Sequence, residues 1–387
     1  MNIQLFKPKY RTQEVLNEIE ECLELGWTGL GFKTTQFEKE FNKYTGFPHS
    51  HFVSSNTIGL QISLKVLKDI NKWEDEDEVI TTPLTFVSSN HSILYNNLTP
   101  VFADIDDQLC LDPESVKQRI TKKTKAVMFV GIGGNIGQYN KIKKICVEHN
   151  LKLILDAAHM MGTKAKKPFQ DIGTSESQVG WDADVTVFSF QSVKNLPTAD
   201  GGMICFENKD CDILARKLSW LGIDKDTFSR TSSKGKYKWD YNVIDLGLKA
   251  HGNSIMASMG LIALKYIDED NSYRRKICNL YDEGLKNHPL ISLIPHNSEC
   301  LSSRHLYQIR VNNRNQVMEF LNEKKIYPGV HYKDNTEYDL YSYGKGKCPK
   351  SSKLNKEIIS LPLHLFLTNR EVEYIIKNIK KAVEKWN

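Results

Sequence analysis

Between about residues 50 and 210 the chain alternates two apolar patterns. Short β-rich runs appear at Asp77–Ile80, Pro100–Ala103, Lys125–Gly131, Leu151–Leu155, Asp184–Phe190 and Gly202–Phe206. Between them, Thr57–Lys68, Phe86–Asn96, Pro113–Thr121 and Tyr139–Asn150 carry apolar residues at helical spacing. This strand-then-helix rhythm predicts an α/β domain around a mostly parallel, buried sheet. Further on the pattern changes. Ser254–Asp268 and Tyr273–Leu285 are spaced as two helices, and one short strand, Leu306–Val311, sits with the helical stretches Asn315–Lys324 and Arg370–Lys385. The change predicts a large domain over 1–255, with an N-terminal arm, and a smaller α+β domain over 256–387. Two polar stretches, Thr163–Asp182 and Asp224–Lys238, interrupt the rhythm and are expected to be loops.

Composition narrows the class of protein more than the fold. A chain of 387 residues with 40% hydrophobic and 26% charged positions is an ordinary globular mixture, enough for two or three domains. Its 52 Lys and Arg against 47 Asp and Glu leave a net charge of only +5, which gives no footprint for nucleic acid or an anionic membrane. The longest apolar stretch, Ala126–Gly134, is about half of the roughly 18–20 residues a membrane span needs. Met1–Arg11 lacks the apolar core of a signal peptide. The 8 cysteines include no CxxC pair, so they read as reduced, scattered thiols and not as a zinc or disulfide framework. A cytoplasmic protein without a bound metal is expected.

Four short segments carry candidate chemistry. Phe188–Asn195 places Ser189 and Lys194 at the exit of a buried strand, where α/β sheets present ligand groups. A lysine partly desolvated there has a lowered pKa and a nucleophilic amine, and the hydroxyl can hold a phosphate. Leu153–His159 ends an apolar strand on Asp156, followed by two alanines and His159. A buried carboxylate needs a cationic or hydrogen-bonding partner, and a pyridinium nitrogen is one such partner. Val53–Thr57 precedes a helix and can cap it or bind a phosphate at its N-terminus. Phe86 follows a strand-to-helix turn and is either core or a stacking surface for a planar cofactor. Taken singly, each segment has a plainer structural account. Taken in order, they spell a pyridoxal phosphate site.

The order of motifs over residues 10–385 resembles the DegT/StrS sugar aminotransferases, fold-type-I pyridoxal phosphate enzymes related to aspartate aminotransferase. Phe37-Glu38 with Phe41 is similar to the family's "FExxFA", and Ser55-Asn56-Thr57 stands at its Ser-Gly-Thr. Asp77–Ile80 with Thr85–Val87 resembles "DEVI…TFV", Pro100–Asp106 resembles "PVFxDID", and Ile120–Val127 resembles "ITxKTKAI". Asp156–His159 matches "DAAH", Phe188–Asn195 matches "FSFxxxKN", Leu246–Lys249 resembles "LGYK", Gly329–Tyr332 resembles the late "HY" region, and Ser360–His364 matches "SLPLH".

The resemblance implies a role for each matching position. Lys194 would form the internal aldimine with pyridoxal phosphate and move the substrate proton, with pyridoxamine phosphate as the intermediate. Asp156 would keep the pyridine nitrogen protonated, Phe86 would stack on the ring, and His159 would lie beside it. Ser189, Asn56 and Thr57 would hold the phosphate. The site would be shared in a homodimer, with Lys249, and as a second candidate Asn253, reaching in from the neighbouring subunit.

Four positions depart from the family pattern. Gln191 replaces a histidine, Asn56 a glycine, Asp200 a glutamate, and Gly131-Ile132-Gly133-Gly134 replaces "HxxG". Lys194 itself separates the aminotransferases from related dehydratases, which carry histidine there. The resemblance therefore implies transfer of an amino group from glutamate or glutamine to a nucleotide-linked keto-deoxysugar, most often a 4-keto-6-deoxyhexose, for surface glycans. Arg230, Lys234, Lys236 and Lys238 are candidates for its pyrophosphate. A small phosphorylated ketone is the alternative acceptor, and a non-catalytic cofactor-binding regulator is the alternative of another class.

Overall fold

The structure is a computed structural model that describes residues 2–166, 176–224 and 241–386. Two helices, α1 (Thr12–Glu24) and α2 (Phe32–Thr45), precede the first strand, β1 (His49–Val53). Then come α3 (Asn56–Asn71), β2 (Glu78–Thr81), α4 (Val87–Leu94), β3 (Thr99–Phe102), α5 (Pro113–Arg119), β4 (Thr124–Val130), α6 (Tyr139–Glu148) and β5 (Lys152–Asp156). After the short strands β6 (Lys164–Lys166) and β7 (Glu176–Gln178) follow β8 (Val185–Ser189), β9 (Gly202–Phe206) and α7 (Lys209–Leu218).

Seven strands form one sheet in the order β1-β9-β8-β5-β4-β2-β3. The pairs β8–β5, β5–β4, β4–β2 and β2–β3 are parallel, and only β9 runs against its neighbours. The expected α/β sheet is therefore present. Every residue of β8 and β9 is buried, as strands covered on both faces require. The sequence rhythm missed β1, α1, α2 and α7. In α2, Phe37 and Phe41 point inward at one-turn spacing and meet Phe52, Phe188 and Phe190 edge-on, which builds an aromatic core under the sheet.

Helix α8 (Ser254–Lys265) packs back on α1 and α2. The second layer follows with α9 (Ile267–Leu285), β10 (Ser292–Leu293), β12 (Tyr307–Arg310), α10 (Arg314–Glu323), α11 (Pro349–Leu354), β13 (Ile358–Leu361) and α12 (Asn369–Lys385), and β11 (Cys300–Leu301) lies in the chain between β10 and β12. Strands β10, β12 and β13 form a small antiparallel sheet, which gives the expected C-terminal α+β unit. The N-terminal arm docks here: Ile3 N–H donates to the Lys325 carbonyl at 2.9 Å, and Ile3 is buried with Ile277, Ile326 and Ile379.

Thr163–Asp182 is not simply a loop. Its strands β6 and β7 pair antiparallel, and β11 adds a third strand. Three-residue strands are too short to show an alternation in sequence. Arg230, Lys234, Lys236 and Lys238 lie outside the described residues. Among the described residues no helix is long and apolar enough to cross a membrane. None of the 8 cysteines is in a disulfide.

Candidate active site

The ends of β5 and β8 and the start of α3 converge on a cavity of about 390 Å³. Asn56, Thr57, Phe86, Asp156, His159, Ser189 and Lys194 all line it, although they come from distant parts of the sequence. Parallel strands bring this about, because their carboxyl ends open on one edge of the sheet.

Asp156 closes β5 and is 3% exposed. Ser89 Oγ donates to it at 2.7 Å, Asn56 Nδ2 at 3.3 Å and the Ala158 N–H at 3.2 Å. Since Ser89 gives its proton to Asp156, the Thr85 hydroxyl, 2.9 Å away, must donate to Ser89. These partners are all neutral. Burial pushes the Asp156 pKa up despite them and despite the attraction of Lys194. A cationic group placed against Asp156 would restore its charge.

Asn56 stands where the family has glycine, yet it needs no left-handed backbone. It opens α3, behind a Ser55 in extended geometry whose Oγ accepts from the Ile58 N–H at 3.2 Å. Its side chain turns away from the helix end and bridges Asp156 to the Val187 carbonyl at 3.0 Å. What Asn56 offers an anion is therefore its main-chain N–H, beside that of Thr57, at the positive end of the α3 dipole. The Ser189 hydroxyl, at the end of β8, faces the same cavity.

Lys194 sits in the turn after β8, where its N–H donates to the Gln191 carbonyl at 2.8 Å. Its neighbour Asn195 is locked on three sides: Nδ2 donates to Asn271 at 2.7 Å and to the Ser303 carbonyl at 2.9 Å, and Oδ1 faces His305 Nδ1 at 2.8 Å. The turn is thus tied to both layers. Desolvation lowers the Lys194 pKa to about 8, against the opposing pull of Asp156. The departure at Gln191 is exposed, with its amide spent on Ser192 and on the Val193 N–H.

His159 shows what the glycine run does. Gly133, at φ 63°, turns its N–H onto His159 Nδ1 at 3.2 Å. Burial holds this imidazole neutral, so its proton resides on Nε2 and points at the Tyr332 hydroxyl, 3.0 Å away. Tyr332 then has its own proton free to donate into the cavity. Tyr332, His305 and His331 line the site from the C-terminal layer and Phe6 from the arm, and no role was read for them in sequence. Tyr332 and His331 fall in the quoted Gly329–Tyr332 stretch, which was the available signal. Ser89 was legible only as part of the Phe86 segment.

Phe86, 58% exposed, lies 6.0 Å from the Tyr332 ring and offers an open aromatic face. Lys249 and Asn253 are not brought to the cavity within one chain. Lys249 is exposed, with its ammonium 5.5 Å from the Trp220 ring centroid, and Asn253 caps α8 by accepting from the Met256 N–H at 2.9 Å. Any contribution from them to a site would have to come across a subunit interface.

These groups fit pyridoxal phosphate. The orphaned charge of Asp156 suits a ring nitrogen, and the α3 N-terminus with Ser189 suits a phosphate. The cool amine of Lys194 suits an aldehyde, and Phe86 suits a flat ring.

The chain is similar to known proteins over nearly its whole length. The family profile of the DegT/DnrJ/EryC1/StrS aminotransferases matches residues 9–380. The chain is 32% identical to the spore coat polysaccharide biosynthesis protein SpsC of Bacillus subtilis, over 96% of this chain and 95% of that one. It is 30% identical to the dTDP-4-dehydro-2,3,6-trideoxy-D-glucose 4-aminotransferase of Saccharopolyspora spinosa, over 99% and 97% of the two chains. Among solved structures, the PLP form of the putative sugar aminotransferase Spr1654 from Streptococcus pneumoniae superposes with a TM-score of 0.88 at 28% identity, covering 100% of this chain and 99% of that one.

Proposed function

The chain belongs to the DegT/DnrJ/EryC1/StrS aminotransferase family, and from that premise we propose that it transfers an amino group from glutamate or glutamine to a nucleotide-linked keto-deoxysugar for glycan assembly. The observation that carries this reading is the joint placement of Lys194, Asp156 and Ser189 around one cavity at the carboxyl edge of the sheet. The acceptor class is supported by the relative that is named as a dTDP-sugar 4-aminotransferase.

When bound, pyridoxal phosphate supplies an electron sink for the charge that develops at the substrate carbon. This chain's own residues do the rest. Asp156 holds a proton on the ring nitrogen, and Ser89 and Asn56 keep its carboxylate aimed. The main-chain N–H groups of Asn56 and Thr57, together with Ser189, bind the phosphate. Lys194, close to neutrality in its titration, takes the proton from the donor's α-carbon as an amine and returns it as an ammonium. Phe86 covers one ring face and limits water. His159, held in one tautomer, directs the Tyr332 O–H toward the substrate side.

A homodimer that shares the site accompanies this reading. The segment that ends at Lys249 exposes Val243, Ile244 and Leu246, the last at 89%, and a run this apolar calls for cover by a second copy.

The acceptor is tested by offering the loaded enzyme and glutamate a panel of nucleotide-linked 4-keto-6-deoxyhexoses alongside small phosphorylated ketones. The expected product is an amino sugar nucleotide, read as its mass and as 2-oxoglutarate release. Turnover of only the small ketones would replace the proposed acceptor with the smaller one.

A further inference from the structure

Beside the Lys194 turn lies a second and much smaller cavity. Its walls are the arm (Phe6–Lys9), the turn at Val193–Asn195, the α9 residues Asp270 and Arg274, and Leu363–Leu365. About 10 Å³ of it is accessible to the centre of a water-sized body, so it admits only a small guest.

Charge is out of balance around it. Arg274 is 7% exposed, and among the described residues neither its Nε nor its Nη1 has a hydrogen-bond partner. The carboxylate on this wall, Asp270, is already engaged through both oxygens by Arg11, at 2.6 and 2.7 Å. The other ionisable groups on the wall are Lys7, Lys9, Lys194 and His364. Desolvation lowers the Arg274 pKa to about 10, and holds His364 neutral with a pKa of about 4. A guanidinium whose proton cannot leave at neutral pH is thus buried with donors unspent, among cations.

We propose that this cavity is a binding site for one small inorganic anion of the halide class, chloride foremost, held by the unpartnered N–H groups of Arg274 between the N-terminal arm and α9. Charge calls for an anion, and so small a space favours a compact inorganic one, of which chloride is the simplest. The bound ion neutralises Arg274 and ties the arm, which carries Lys7, Lys9 and the site residue Phe6, to the back wall of the Lys194 turn.

The test needs neither cofactor nor substrate, so it stands or falls separately from the aminotransferase reading. The melting temperature of the full-length protein is measured at fixed ionic strength while a bulky organic sulfonate is replaced by chloride. Chloride is expected to raise Tm by about 2–4 °C, and Arg274→Met is expected to lose that increment. Crystals of the wild type soaked in bromide should show an anomalous peak within hydrogen-bond reach of the Arg274 guanidinium. This arm decides the matter even if Arg274→Met does not fold. Equal Tm in both salts with no bromide at Arg274 overturns the site. So does bromide that appears only at molar concentration without any shift in Tm, which marks an adventitious ion only.

Discussion

Replacing Lys194 with alanine is expected to lower the rate of amino-group transfer by about ten-thousand-fold, the upper range for losing a positioned general base. The loss should be chemical and not structural. Among the described residues the Lys194 ammonium makes no ion pair or hydrogen bond, and its turn is held by main-chain and Asn195 contacts that alanine keeps. The cofactor-free variant should therefore melt no more than about 2 °C below the wild type, and at neutral pH it is also relieved of the cost of charging a desolvated lysine. The same residue sets a pH dependence. Only the unprotonated amine attacks an aldehyde, so capture of pyridoxal phosphate by the wild-type apoprotein should rise with pH and level off above the Lys194 pKa of about 8. A rate flat from pH 6 to 9 would show that another group limits capture. Stopped-flow absorbance across that range, with the alanine variant as the blank, reads both effects.

Asp156→Asn is expected to cost about 10²–10³-fold in kcat, the scale for removing one preorganised electrostatic partner of a developing charge. Asparagine keeps the shape: its single oxygen can still accept from Asn56 and the Ala158 N–H, while its NH2 faces Ser89, whose hydroxyl must turn to accept, and it cannot hold a proton on a ring nitrogen. Stability should move the other way. Because the folded-state pKa of Asp156 is raised, the wild-type apoprotein loses stability as pH climbs from the unfolded value, roughly 4, through the folded one. Above that window the penalty is complete. Asparagine carries none of it, so the apo variant should melt at or above the wild-type temperature at neutral pH. A variant both inactive and clearly less stable would mean that Asp156 is structural.

Much of this site was legible in sequence because its residues sit at the ends of strands that read plainly. The apolar run before Asp156 marks β5, and the run before Ser189 marks β8. A parallel sheet then forces both ends onto one edge. Gly202–Phe206 was read to the residue. What sequence hid depended on rotamers and on distant packing. Asn56 reads as a phosphate residue, yet its side chain serves Asp156. Nothing local shows that the Gly131–Gly134 run sets the tautomer of His159, because the link is one main-chain N–H. His305 reaches the cavity from the far layer through the tertiary fold alone, and the Gly329–Tyr332 stretch does not show by itself that Tyr332 meets His159. The early helices escaped because the strand rhythm begins after them, although Phe37 and Phe41 carry the helical spacing that places them in the core.

The central claim is that this cavity binds pyridoxal phosphate through Lys194 and exchanges an amino group with glutamate. The most direct test is the near-ultraviolet and visible spectrum of the purified protein with the cofactor, recorded before and after glutamate is added. The account predicts a visible band from lysine-linked cofactor that glutamate converts to the shorter-wavelength band of the aminated form, with release of 2-oxoglutarate. Absence of the visible band in the wild type, at cofactor concentrations that load other enzymes of this fold, would contradict it.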